Sequence, residues 1–203
     1  MKPFACALFA VLVGCATPAS SGVFYSDTQP TTHTKPRHQY HGFSVRPPMD
    51  PGWFVTISEQ THERAIYRRH LPTKTHTFLA GVVLGQLDRT LPVEEALVPH
   101  GIQNSDRTEA LENTHQADTS RKAICIRYSI RFKDKHAPNS PEEVVELIDK
   151  GLVCAHPTIP GAFIRASFSE RGLEGELDPD LWNGLEYFLG GVQIESAPGV
   201  PAA

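Results

Sequence analysis

Apolar and polar positions divide the chain into segments of different kind. Phe4 to Val13 is an apolar run preceded by one cation, Lys2. From Ala16 to Tyr40 (ATPASSGVFYSDTQPTTHTKPRHQY) no period of 2 or 3.6 is sustained, and Thr, Ser, Pro and Gln dominate. Periodicity begins after Gly42. Trp53, Val55 and Ile57 fall on one side of an alternating stretch, which predicts a strand over 53–57. Arg64 to His70 predicts a second, more polar strand. From Phe78 to Leu84 both alternating faces are apolar or small, which predicts a strand buried on both sides and covering layers on both faces of its sheet. Pro92, Glu94 and Glu95 mark a helix start that Pro99 and Gly101 interrupt and that resumes weakly over 105–113.

Farther along, Ala123 to Phe132 alternates cleanly. Ile124, Ile126, Tyr128, Ile130 and Phe132 share one face; Cys125, Arg127, Ser129 and Arg131 share the other. Further strands are expected over 144–155 and 163–169. Asp178 then suits a helix cap and Pro179 the first helical position. Leu181, Leu185, Phe188, Leu189 and Val192 form one apolar stripe, and Gly190-Gly191 ends it. Runs of strands without regular βαβ alternation predict an α+β fold, one domain over 42–195. Its sheet is expected to be mostly antiparallel and covered by helices, including an amphipathic C-terminal helix. Residues 196–203 (SAPGVPAA) read as a disordered tail. Gly42-Phe43-Ser44-Val45 with Pro48 and Trp53, and the closing Phe188-Leu189-Gly190-Gly191-Val192, are similar to the PsbP-like fold. That resemblance implies an antiparallel sheet between helical layers and carries no functional residues across.

The first segment sets the address. Ten apolar residues are too few to span a bilayer as a helix, which needs about 20, but they match the core of a secretory signal. Leu12-Val13-Gly14-Cys15 resembles the bacterial lipobox. The resemblance implies that residues 1–14 are a lipoprotein signal peptide and that Cys15 carries diacylglycerol. More than one acyl chain gives stable anchoring where a single chain gives only marginal binding. Ala16 follows instead of the Asp of the enteric retention signal, which favours the outer membrane, facing the periplasm. Residues 15–41 then read as a lipidated N-terminus and flexible tether with a reach of roughly 25–30 Å.

Composition narrows the partners. Hydrophobic residues make up 40% and charged residues 21%, and the formal charge is −4. A mildly acidic chain of this kind is globular and lacks the basic face that nucleic acid requires. The expected partners are the membrane, through the lipid, and a protein of the envelope. No cofactor is expected.

Four cysteines constrain the covalent frame. Cys6 leaves with the signal and Cys15 takes the lipid, so Cys125 and Cys154 remain in a compartment where disulfides persist. With Cys125 opposite Cys154, Ile126 faces Val153, Ile124 faces Ala155 and Phe132 faces Leu147. This register keeps both apolar faces together, which a one-residue slip does not. The pair closes a loop worth about 3 kcal/mol. The competing reading is two small buried thiols.

No nucleophile elbow, phosphate loop, dinucleotide fingerprint, metalloprotease motif or Cys-x-x-Cys occurs. His156 with Ser167 or Ser169 and Glu170 could form a hydrolytic triad, against ordinary polarity at a strand end. His70 and His76 could bind metal or sense pH, against solvent-facing histidines on a strand pair. His33, His38 and His41 could gather a metal, against plain linker polarity. Arg64, Arg68 and Arg69 could take an anion, against charges guarding an edge strand. These comparisons leave no catalytic, cofactor-binding or metal residues assigned. The leading expectation is a non-enzymatic binding or assembly module of the envelope. Behind it stand a carrier or sensor of a small ligand or metal, in a pocket between sheet and helix, and a hydrolase.

Overall fold

In a computed structural model, residues 28–31, 36–56, 60–73, 75–99, 103–136 and 143–195 are described. The strands are β1 (Thr28–Pro30), β2 (His38–Gln39), β3 (Phe43–Val45), β4 (Trp53–Thr56), β5 (Arg64–Arg69) and β6 (Thr77–Gln86). After the short helix α1 (Val93–Ala96) come β7 (Thr108–Ala117), β8 (Cys125–Asp134), β9 (Val145–Ala155) and β10 (Ala162–Leu173). A 3₁₀ helix (Pro179–Gly184), α2 (Leu185–Gly191) and β11 (Val192–Ile194) follow. Eight strands form one antiparallel sheet in the order β1-β4-β5-β6-β10-β9-β8-β7, and β11-β3-β2 form a second, small one.

The expected α+β domain with a helix-covered sheet is therefore corrected to a mostly β fold. Half of the described residues lie in strands and 11% in helices. The reasons are local. The apolar stripe from Leu181 to Val192 is used, but Gly184 and Gly190-Gly191 resist a continuous helix. The segment divides into a 3₁₀ helix, seven α-helical residues and a strand. Leu181, Phe188, Leu189 and Val192 still enter the core. The expected helix over 105–113 is also corrected, because Thr108–Ala117 is the edge strand β7. Pairing with β8 from Thr108↔Asp134 to Ala117↔Ile126 overrides the helical propensity of its Glu, Ala and Leu residues.

The inner face of the large sheet carries the main core. Phe78, Ala80, Val82 and Leu84 of β6 meet Ile164, Ala166 and Phe168 of β10, under Phe188 and Leu189 of α2 and Val45 of β3. Trp53, Phe78, Phe168 and Phe188 form an aromatic chain with ring centroids 5.2–5.3 Å apart. The layer on this face is the small sheet with the C-terminal segment, where helices were expected. On the outer face a smaller cluster holds Ile126, Tyr128, Ile130 and Val153 beneath Leu97, just after α1.

The expectation that β6 is buried on both sides fails. Leu79, Gly81, Val83 and Gly85 on its outer face are only half-buried. Small residues occur there because neighbouring strands lay side chains across them, Ile66 beside Gly81 and the Phe163 ring over Gly85. No complete second layer is required.

Two strands fall inside the segment expected to be a tether. Gln29 pairs with Val55, and His38 with Val45. The ordered fold thus begins upstream of Gly42. Cys15 with its lipobox, His33 and the tail at 196–203 lie outside the described residues. Among the described residues no helix is long and apolar enough to cross a membrane.

Candidate binding site

A cleft of about 520 Å³ opens on the outer face, between α1 and strands β8, β9 and β10. Volumes of roughly 300–1,000 Å³ are usual for small-molecule sites. The walls are largely apolar. Leu91 and Leu97 come from the α1 region, Ile130 and Phe132 from β8, Leu147 and Val153 from β9, and Phe163 from β10. Strand alternation explains why these side chains converge: Ile130 and Phe132 are two residues apart on β8, and Phe132 faces Leu147 across the pair.

One end of the cleft is polar. Asp149 and Arg165 line it and form an ion pair. Tyr128 lies beside them, its hydroxyl accepting from Arg165 Nε at 2.7 Å and donating to Asp149 Oδ1 at 3.3 Å. The Arg165 guanidinium stands 5.1 Å from the Tyr128 ring centroid, in cation–π range. Burial pushes the Tyr128 phenol up to about 12, reinforced by the Asp149 charge, so it remains a donor at neutral pH. Burial also raises Asp149, against the opposing pull of Arg165. The Ser167 hydroxyl lies near both groups and favours their charged forms, against the larger effect of burial. Room for this cluster comes from Gly151, where a Cβ would overlap the Ala166 carbonyl oxygen and the Ser167 side chain. A glycine inside a strand often marks such close approach.

The candidate triad is not assembled. Ser167 and Ser169 lie on the face of β10 opposite Glu170, by strand alternation. The ring of His156 serves the backbone instead. Its Nδ1 accepts from the Ile159 N–H at 3.0 Å and the Thr158 N–H at 3.2 Å, so Nε2 carries the proton and donates to the Gly42 carbonyl at 2.9 Å. Gly42, at φ +76°, holds a conformation that glycine adopts without strain.

His70 and His76 are committed separately. His70 stacks on Phe54 with centroids 4.2 Å apart. His76 Nε2 lies 2.7 Å from Oε1 of the fully buried Glu170. The same carboxylate accepts from the Asp178 N–H at 2.8 Å and from Trp182 Nε1 at 2.6 Å, tying the 3₁₀ helix to the sheet. His38 Nδ1 meets the Tyr67 hydroxyl at 3.2 Å, and the His41 N–H donates to the His62 carbonyl. Among the described residues no group of three or more His, Cys, Asp or Glu is arranged to hold a metal. The edge-strand reading of Arg64, Arg68 and Arg69 is corrected, since β5 lies between β4 and β6; Arg69 pairs with Asp50 at 3.7 Å.

Cys125 and Cys154 are joined in a disulfide, in the expected register, with Cα atoms 4.1 Å apart. Sequence reasoning missed Tyr128, Asp149 and Arg165. The available signal was the charged pair Asp149-Lys150 just before Gly151, and Arg165 within the otherwise apolar run Phe163-Ile164-Arg165-Ala166. What these features define is a disulfide-stapled antiparallel β protein with a lateral, mostly apolar cleft. No protein-family model matches the chain, and no curated protein is detectably similar to it.

Proposed function

We propose that this chain is a lipid-anchored protein of the bacterial cell envelope whose domain binds without catalysing. In this reading it is exported, acylated at Cys15 and held at the outer membrane facing the periplasm. The cleft beneath α1 receives a small amphipathic molecule, and a protein partner in the envelope delivers or receives it. The observation that carries the binding reading is the cleft itself, an apolar trough of ligand size with the Asp149–Arg165–Tyr128 cluster at one end. An apolar body would fill the trough, and a polar end would meet groups already oriented by one another. The Cys125–Cys154 disulfide supports export, because such bonds persist outside the reducing cytoplasm. Among the described residues no histidine lines the cleft, and the carboxylate beside Ser167, Asp149, is paired with Arg165, which is why binding is preferred to hydrolysis.

Fluorescence of the apolar probe 1-N-phenylnaphthylamine tests the cleft. Saturable enhancement with the full chain, weakened tenfold or more by Val98→Trp at a residue that lines the cleft beside Leu97, is the expected outcome. Equal enhancement in both proteins would place the probe elsewhere. Detergent partitioning tests the anchor: the expected protein enters the detergent phase and Cys15→Ser does not. A wild-type protein left in the aqueous phase with an unmodified amino terminus would overturn it.

A further inference from the structure

The opposite face of the sheet holds a second, smaller cavity of about 270 Å³, between β7–β9 and α2. The register sets its floor. Thr114 of β7 pairs with Ser129 of β8, and Ser129 with Lys150 of β9, so the three side chains stand in one row. Leu185 and Leu189 of α2 form an apolar wall on the other side.

The charges at this cavity are not all paired. Arg127, on its rim, is matched by Asp118 at 2.9 Å and Glu186 at 2.6 Å. Lys150 has no such match: no carboxylate among the described residues lies within ion-pair distance of its Nζ, which stands 5.4 Å from the Trp182 ring centroid. Glu170, which shares Trp182 with Lys150, is already satisfied by three donors. Beside Lys150, the Ser129 hydroxyl is cut off from solvent and has no hydrogen-bond partner. A buried hydroxyl without a partner carries a desolvation penalty that an acceptor would relieve. Lys150 and Ser129 are adjacent across one strand pair and both line the cavity, and an ammonium and an unpaired hydroxyl are the kinds of donor an oxyanion takes.

We propose that this cavity binds a small free solute bearing an oxyanion, with Lys150 as the charge partner, Ser129 as a hydrogen-bond donor, and Leu185 and Leu189 against its carbon skeleton. The site is separate from the cleft beneath α1 and does not depend on it.

Nuclear magnetic resonance titration of the full chain with inorganic phosphate, and separately with acetate, tests the proposal. Saturable shifts of the Ser129, Lys150 and Gly151 amides with at least one of the two anions are expected. Lys150→Met should weaken that binding tenfold or more and Ser129→Ala about threefold, whereas Lys150→Arg retains it. Lys135→Met, just past the far end of β8, serves as the control and should bind as wild type. Circular dichroism and Trp182 fluorescence confirm that each variant is folded. Absence of saturation by either anion, equal affinity in Lys150→Met, or binding to phosphatidylglycerol vesicles with none to the free anions would each overturn it.

Discussion

Cys125 stands directly across from Cys154 at a non-hydrogen-bonded position of the β8–β9 pair. The ladder bond from the Ala155 N–H to the Ile124 carbonyl, at 2.9 Å, flanks the pair as that geometry requires. The bridge closes a loop with a sequence separation of 29, worth about 3–4 kcal/mol in the chain-entropy model. Cys125→Ser with Cys154→Ser should lower the urea midpoint accordingly, and non-reducing mass spectrometry should find neither cysteine alkylated in the native wild type. An unchanged midpoint would show that the bridge does not constrain the unfolded chain.

His156 should behave as a structural residue. Replacing it with Ala leaves the Thr158 and Ile159 N–H groups without their partner and takes one of two donors from the Gly42 carbonyl, which keeps the Glu195 N–H. An unsatisfied buried group costs about 1–3 kcal/mol, so a loss in that range or above is expected in chemical denaturation. A His156→Ala protein as stable as the parent would remove the ring from the list of supports.

Glu170 makes a similar demand within the core. Glu170→Gln offers an N–H where only donors converge, and about 1–3 kcal/mol should be lost. Trp182 emission should shift as its Nε1–H loses the carboxylate. Unfolding and emission both matching wild type would mean the carboxylate is dispensable.

Acid should destabilise the fold. The Ser120 hydroxyl, then the Ser120 N–H and Arg127, hold Asp118 below the usual range, and the Leu173 N–H, then Thr73 and Thr75, hold Glu176 there. A lowered folded value contributes stability that is present above the unfolded value, about 3.9 for Asp and 4.3 for Glu, and is lost as pH falls through the folded one. Asp149, raised by burial, works in the opposite sense. The urea midpoint is therefore expected to drop between pH 5 and about pH 3, and Asp118→Asn should flatten the drop. A midpoint that stays level over that window would contradict the assignment.

Strand periodicity carried far more of this fold than did helical periodicity. Alternation over 123–132 fixed the β8–β9 register down to Phe132 against Leu147, because a one-residue slip would have put the two apolar faces on opposite sides of the sheet. The C-terminal stripe correctly named Leu181, Phe188, Leu189 and Val192 as core, since burial follows side-chain chemistry. It misnamed the element, because backbone glycines decided where the helix broke. β7 was illegible: its exposed, mixed residues carry no period, and only pairing with β8 makes it a strand. The cleft was hidden for a related reason. Tyr128, Asp149 and Arg165 come from three strands, and nothing local announces that Gly151 leaves them space.

The β3–β11 pairing joins Val45 to Val192 and Phe43 to Ile194. Synthesis delivers the amino-terminal partner long before its mate. Until residue 194 has emerged, β3 lacks that neighbour and the inner face lacks part of its lid, so closure of the core comes last. Contacts this distant in sequence are slow to form. The small sheet therefore acts as a late clasp, joining the two ends of the described fold only once almost all of it has been made.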